Sequence, residues 1–98
     1  MWLLILKKGE GVVRDPIQAM NWFLKSANNG NPEAQYNAAL KYYTGNGTHQ
    51  DLSKSIEYAE KSAMHKNKPA IQLLVDIYSD VQSPNYNTEK ENHWKSKL

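Results

Sequence analysis

Three histidines, a pair of glutamates and two Gly-x-Gly steps are the groups in this chain that could carry chemistry. His49, His65 and His93 stand 16 and 28 residues apart. None is paired at i,i+4, and with no cysteine in the chain a zinc site lacks ligands, so no metal is expected. Glu57 and Glu60, three apart on one helix face, could in principle share a proton as an acid–base pair. Lys61 stands four residues after Glu57 and makes a solvated, ion-paired face the simpler reading. Gly9-x-Gly11 and Gly45-x-Gly47 lack the third glycine of a dinucleotide fingerprint and follow helical rather than strand patterns, which makes them turn glycines. Neither a Gly-x-Ser-x-Gly elbow nor a phosphate-binding Gly-Lys-Ser/Thr step occurs. The expectation is a chain without catalytic residues or cofactors, whose function is binding.

The elements that position these groups follow from an internal repeat, the first feature to seek in a helical chain. Residues 9–34 laid on 45–70, a shift of 36, give eight identities without a gap. They are Gly9/Gly45, Gly11/Gly47, Asp15/Asp51, Lys25/Lys61, Ser26/Ser62, Ala27/Ala63, Asn31/Asn67 and Ala34/Ala70. Tyr58 matches Trp22 in kind, and Trp94 follows one period later.

Each unit reads as two helices. Asp15-Pro16 pairs an N-cap with a proline at the first helical position, where a missing N–H is harmless. Ile17, Met20, Phe23, Leu24 and Ala27 then recur on one face, and Asn29-Gly30 supplies a left-handed stop. Asn31-Pro32 opens a second helix to about Tyr43, which Gly45 and Gly47 break. Asp51 caps a third to about His65, and Asn67 a fourth rich in apolar residues (Ala70, Ile71, Leu74, Val75, Ile77, Tyr78). Beyond Tyr78 the pattern weakens: Val81 and Ser83 stand where two glycines are expected, and a last helix starts near Thr88.

The run Ala34-Gln-Tyr-Asn-Ala-Ala-Leu-Lys-Tyr42, then Gly45-Asn-Gly47 and Asp51, resembles the Sel1-like repeats, solenoid relatives of the tetratricopeptide repeats. Ala19, Trp22, Phe23, Lys25, Ser26, Ala27 and Gly30 carry the second half of that pattern. The resemblance covers residues 1–78 well and 79–98 loosely. Departures are Ala38 and Ala39 where the family favours Leu and Gly, Lys66 for the closing Gly, and the third glycine loop. It implies an all-α, right-handed solenoid of stacked antiparallel helix pairs with period 36, and an adaptor or scaffold role. The expected organisation is one domain over 1–98: a truncated repeat 1–30, a complete repeat 31–66 and a degenerate repeat 67–98.

Periodic aromatics in a solenoid are packing residues first. One group departs from that rule. On the helix 32–43, Ala34, Ala38 and Tyr42 mark the face toward the partner helix, while Tyr36, Leu40 and Tyr43 form a second stripe at 100° per residue. One repeat later the same places hold Gln72, Asp76 and Ser79, so the stripe belongs to the middle unit alone. In related solenoids the first helix of each unit lines a concave groove. The stripe there suits a protein or peptide partner, with Gln35, Gln72 and Asp76 supplying selectivity. Its rival is packing against the truncated first unit. Two other functions stay open: a dedicated neutralising partner of a bacterial toxin or effector, and a small hydrolase of the kind proposed for disulfide-rich relatives. The hydrolase is poorly supported without cysteines or a nucleophile motif.

Charge and length narrow the partners. A net charge of +2 with lysines spread along the chain gives no basic stripe for nucleic acid. Met1-Trp-Leu-Leu-Ile-Leu6 is far shorter than the ~20 residues a spanning helix needs and has no signal-peptide flanks, so a soluble, cytoplasmic protein is expected, an exported parent staying open. That stretch is apolar on every side, which predicts self-association, a homodimer in the simplest case, through Trp2, Leu4 and Ile5.

Overall fold

Helices in this chain begin where a side chain can take up the first free backbone N–H groups. The structure, a computed structural model, describes residues 16–98. They form α1 (Pro16–Asn28), α2 (Pro32–Thr44), α3 (Leu52–Ala63), α4 (Lys68–Ser79) and α5 (Thr88–Lys95). The Gly9/Gly11 turn, the Asp15 cap and the self-association residues Trp2, Leu4 and Ile5 lie outside the described residues. Asn31 Oδ1 accepts from the N–H of Glu33 at 2.9 Å and of Ala34 at 3.3 Å, and Asp51 and Asn87 do the same for Lys54 and Lys90. Asn67 occupies the cap position of α4 without capping it; its amide donates to Ser62 Oγ at 2.9 Å instead.

The helices stack in chain order, with α2 also touching α4. Two serines fix the α2–α3 pair. Ser55 Oγ, early in α3, donates to the Ala39 carbonyl at 2.8 Å; Ser62 Oγ, late in α3, donates to the Pro32 carbonyl at 2.7 Å. Early against late and late against early is an antiparallel pair. Both serines are fully buried, which a hydroxyl tolerates only with a partner. The core runs through Met20, Ala38, Ala59, Ala70, Leu74 and Ile77, with Trp94 of α5 packed at its edge. Alanines at facing positions (Ala38, Ala39, Ala59, all fully buried) let the helix backbones approach closely.

Turns follow the sequence pattern closely. Gly30, Gly45 and Gly47 have φ of 90°, 78° and 82°, as the Asn29-Gly30 stop and the recurrent Gly-x-Gly step predict. At Gly45 a Cβ would meet the Gln50 N at 3.3 Å, so a side chain there is both strained and crowded. Lys66 takes the left-handed place (φ 63°) that Gly30 fills one repeat earlier.

Trp22 departs from its counterpart. Tyr58 is buried and its ring stacks on Tyr42 of α2 at 5.9 Å, whereas Trp22 is 68% exposed. The stretch related to α2 by the repeat falls in residues 1–8, outside the described residues. Among the described residues no helix is long and apolar enough to cross a membrane.

Candidate partner-binding faces

Helix α2 positions the expected stripe. Tyr36, Leu40 and Tyr43 are half-buried and packed against the core on one flank. The hydroxyls of Tyr36 and Tyr43 make no hydrogen bond to the described residues, so the phenols offer an apolar body and a free polar tip. The equivalent positions of α4, in contact with α2, carry Gln72 and Asp76, both exposed. Gln72 Nε2 donates to Asp76 Oδ1 at 3.0 Å, which fixes the carboxylate, and Asp76 forms no ion pair among the described residues.

Gln35 is placed differently from the expectation. It is 4% exposed, and its amide donates to the Ala27 carbonyl at 3.1 Å, joining the end of α1 to α2. Its Oε1 has no partner among the described residues. A residue so enclosed is not reachable by a partner in this arrangement, because the 100° stepping that puts Tyr36 at the surface turns its predecessor inward.

Sequence reasoning overlooked the surroundings of Glu60. This half-buried carboxylate accepts a hydrogen bond from Tyr78 Oη at 3.2 Å. Burial, then the Glu60 charge, pushes the Tyr78 phenol up to about 12. Lys90 Nζ lies 5.6 Å over the Tyr78 ring, an arrangement favourable for a cation on a π-face. The signal was available in the repeat: Glu60 stands where Leu24 stands one period earlier.

Among the described residues, the groups considered for chemistry stand apart from one another. His49, His65 and His93 are all exposed, on different elements. Among the described residues no group of three or more His, Asp or Glu could hold a metal ion. Glu57 pairs with Lys61 at 3.7 Å on the surface.

Antiparallel helix pairs stacked through recurrent turns define an α-solenoid. The chain belongs to the Sel1 repeat family, whose description matches residues 4–31 and 32–67. It is similar to the chitin synthase regulator SKT5 of Saccharomyces cerevisiae, at 33% identity over 61 residues, 62% of this chain and 9% of that protein. A crystal structure of a Sel1 repeat protein from Oxalobacter formigenes superposes with a TM-score of 0.72 at 28% identity, covering 91% of this chain and 36% of that one. The chain thus spans a small part of both relatives. Sel1 repeats mediate protein–protein interaction, and the helical solenoid expected from the sequence is the fold observed.

Proposed function

We propose that the chain is a non-enzymatic adaptor or scaffold module that takes a peptide or helix of its partner across the α2–α4 face. The observation that carries this reading is the stripe of Tyr36, Leu40 and Tyr43. Among the described residues its two phenol tips have no partner, and the equivalent places on α4, a helix that touches α2, hold the Gln72–Asp76 pair. Rigid aromatics lose little entropy on binding and carry a large share of interface energy; the polar row would set register and selectivity. Likeness to a chitin synthase regulator supports a role in a protein complex without naming the partner.

The test is capture from the source lysate by the unaltered chain and by a Tyr36→Ser/Tyr43→Ser variant, followed by affinity measurement on the recovered partner. The double variant should retain its helical circular dichroism and bind at least about tenfold more weakly, as loss of more than 1.4 kcal/mol requires. Unfolding of the variant would show that the stripe is core; full affinity would place the interface elsewhere. Several recovered partners would favour an adaptor, a single one a dedicated inhibitor.

A further inference from the structure

The second junction of the stack differs from the first in one respect that packing does not explain. At the first junction, Met20 of α1 is buried and Leu24 packs on the core. One repeat on, the same places hold Ile56 and Glu60, and the junction opens into a cleft of about 400 Å³. Its walls include Ser53, Ile56, Glu60, Tyr78, Tyr86 and Lys90. Lysine is not the novelty, since Lys90 repeats Lys54. The carboxylate is: it has replaced a leucine at a position that faces the neighbouring unit. Tyr78 donates to it, yet among the described residues it forms no ion pair. Tyr86, on the rim, is 44% exposed.

We propose that this cleft is a second binding site, which takes a basic side chain of a protein partner, with Glu60 as its anionic contact. Arginine suits it best. Its guanidinium can present two N–H groups to one carboxylate and still lay its flat face against an aromatic ring such as Tyr86. Lys90, which lines the same cleft with its Nζ over the Tyr78 ring, is the counterweight: it favours a ligand that also brings an acceptor, such as the carbonyl next to the arginine in a peptide. The inference rests on the reading of the chain as a protein-binding module and names the chemistry of a second contact. It uses none of the α2 residues, so either proposal can fail without the other.

The probe is N-acetyl-arginine-N-methylamide, titrated into the whole chain and followed by amide chemical shifts, with the citrulline analogue as a neutral isostere. Saturable shifts around residues 60, 78, 86 and 90 are expected with arginine, and at least about tenfold weaker binding with citrulline, in line with loss of a charge-assisted pair. Glu60→Gln keeps the shape and an acceptor for Tyr78 and should weaken arginine by a similar factor. Tyr36→Ser/Tyr43→Ser should leave the titration unchanged. Should Glu60→Gln melt low, the exposed Tyr86→Ala gives the same decision, with a several-fold loss expected. The site is overturned if arginine gives no saturable shifts, if citrulline binds as well, or if the folded Glu60→Gln or Tyr86→Ala chain binds as tightly as the original.

Discussion

The turn before α3 and the turn before α5 do the same task with different chemistry. The first, 45–51, relies on Gly45 and Gly47 in the left-handed region, and its closing bond runs from Asp51 N to the Tyr42 carbonyl at 2.9 Å. The second has Val81 and Ser83 at those two places, and neither takes a positive φ. It leaves α4 in an extended conformation at Asp80 and bends through side chains instead. Asp80 Oδ1 accepts from Gln82 N at 3.0 Å, and Ser83 Oγ from Asn85 N at 3.1 Å. It then closes from Asn87 N to the Tyr78 carbonyl, again at 2.9 Å. The closing bond and the cap are therefore what the repeat requires. The glycines are one of two ways to reach them.

The largest expected effect sets the two turns directly against each other. Gly45→Val would force a β-branched residue to φ 78° and push its Cβ toward the Gln50 backbone. Strain and crowding together should cost on the order of 3 kcal/mol. Val81→Gly, at the same place one repeat on, needs no left-handed conformation and should cost only about 0.5–1 kcal/mol of chain entropy. Urea denaturation of the two variants would show the gap, and equal losses would mean that the second turn uses the same backbone geometry as the first.

A second contrast concerns the tyrosines whose carbonyls receive the closing bonds. Burial raises both phenols, but Tyr42 stacks on Tyr58 while Tyr78 faces the Glu60 carboxylate and is pushed up to about 12. An unfolded tyrosine releases its proton near 10, so between pH 10 and 12 the folded chain holds a proton that the unfolded chain has lost. Stability from Tyr78 is full below pH 10 and disappears as pH rises through about 12, a total on the order of 2–3 kcal/mol. The unaltered chain should therefore lose more stability across that window than Tyr78→Phe, which has no phenol there. Parallel stability curves for the two would remove Glu60 and burial as controls on this group.

Capping offers an intermediate test. Asp51→Ala and Asn87→Ala each remove a side-chain acceptor from a helix start and should each cost about 1 kcal/mol. The consequences differ: α3 is held by the buried Ser55 and Ser62 bonds, whereas α5, with eight residues and none of them buried, depends on its cap. Asn87→Ala should therefore lose helical amide protection in residues 88–95 well before global unfolding, and Asp51→Ala should lose it only globally. Uniform loss in both variants would show that packing on α4, and not the cap, holds α5 in place.

Legibility in the sequence follows from how local each cause is. Caps, prolines and glycines act within four residues, so the starts of α2, α3 and α5 and the positive φ at Gly45 and Gly47 could be read from the chain. What a polar side chain meets across a helix pair is not local. Ser55 and Ser62 look like surface serines and are fully buried, because a helix carbonyl of α2 lies opposite each. Gln35 looks like a groove residue and is enclosed, its amide meeting the Ala27 carbonyl of α1. The Asn87 closure is implied by the repeat, since Asn87 sits one period after Asp51. The α2 stripe was legible as a pattern; that its phenol tips meet no partner among the described residues was not, because a contact between elements is not local.

The smallest effect asks the turn question in reverse, at the short turns. Gly30 and Lys66 are repeat-equivalent, both follow a helix end, and both have positive φ, 90° and 63°. Here a lysine does what a glycine does, without the side-chain detour of the 80–87 turn. Left-handed backbone costs an L-residue roughly 1–2 kcal/mol, and glycine returns part of that through the greater entropy of its unfolded chain. Lys66→Gly should therefore stabilise by about 0.5–1 kcal/mol, a rise of several degrees in melting temperature for a domain of this size. Gly30→Lys should do the opposite by a similar amount. No atom lies within 4 Å of a Cβ built there, so only the backbone term operates. The two changes together should nearly cancel, as independent sites do. Destabilisation by Lys66→Gly would mean that the lysine side chain, beside Lys68 and Ser96 in the shallow cleft at that end of α4, contributes a contact that outweighs its backbone strain.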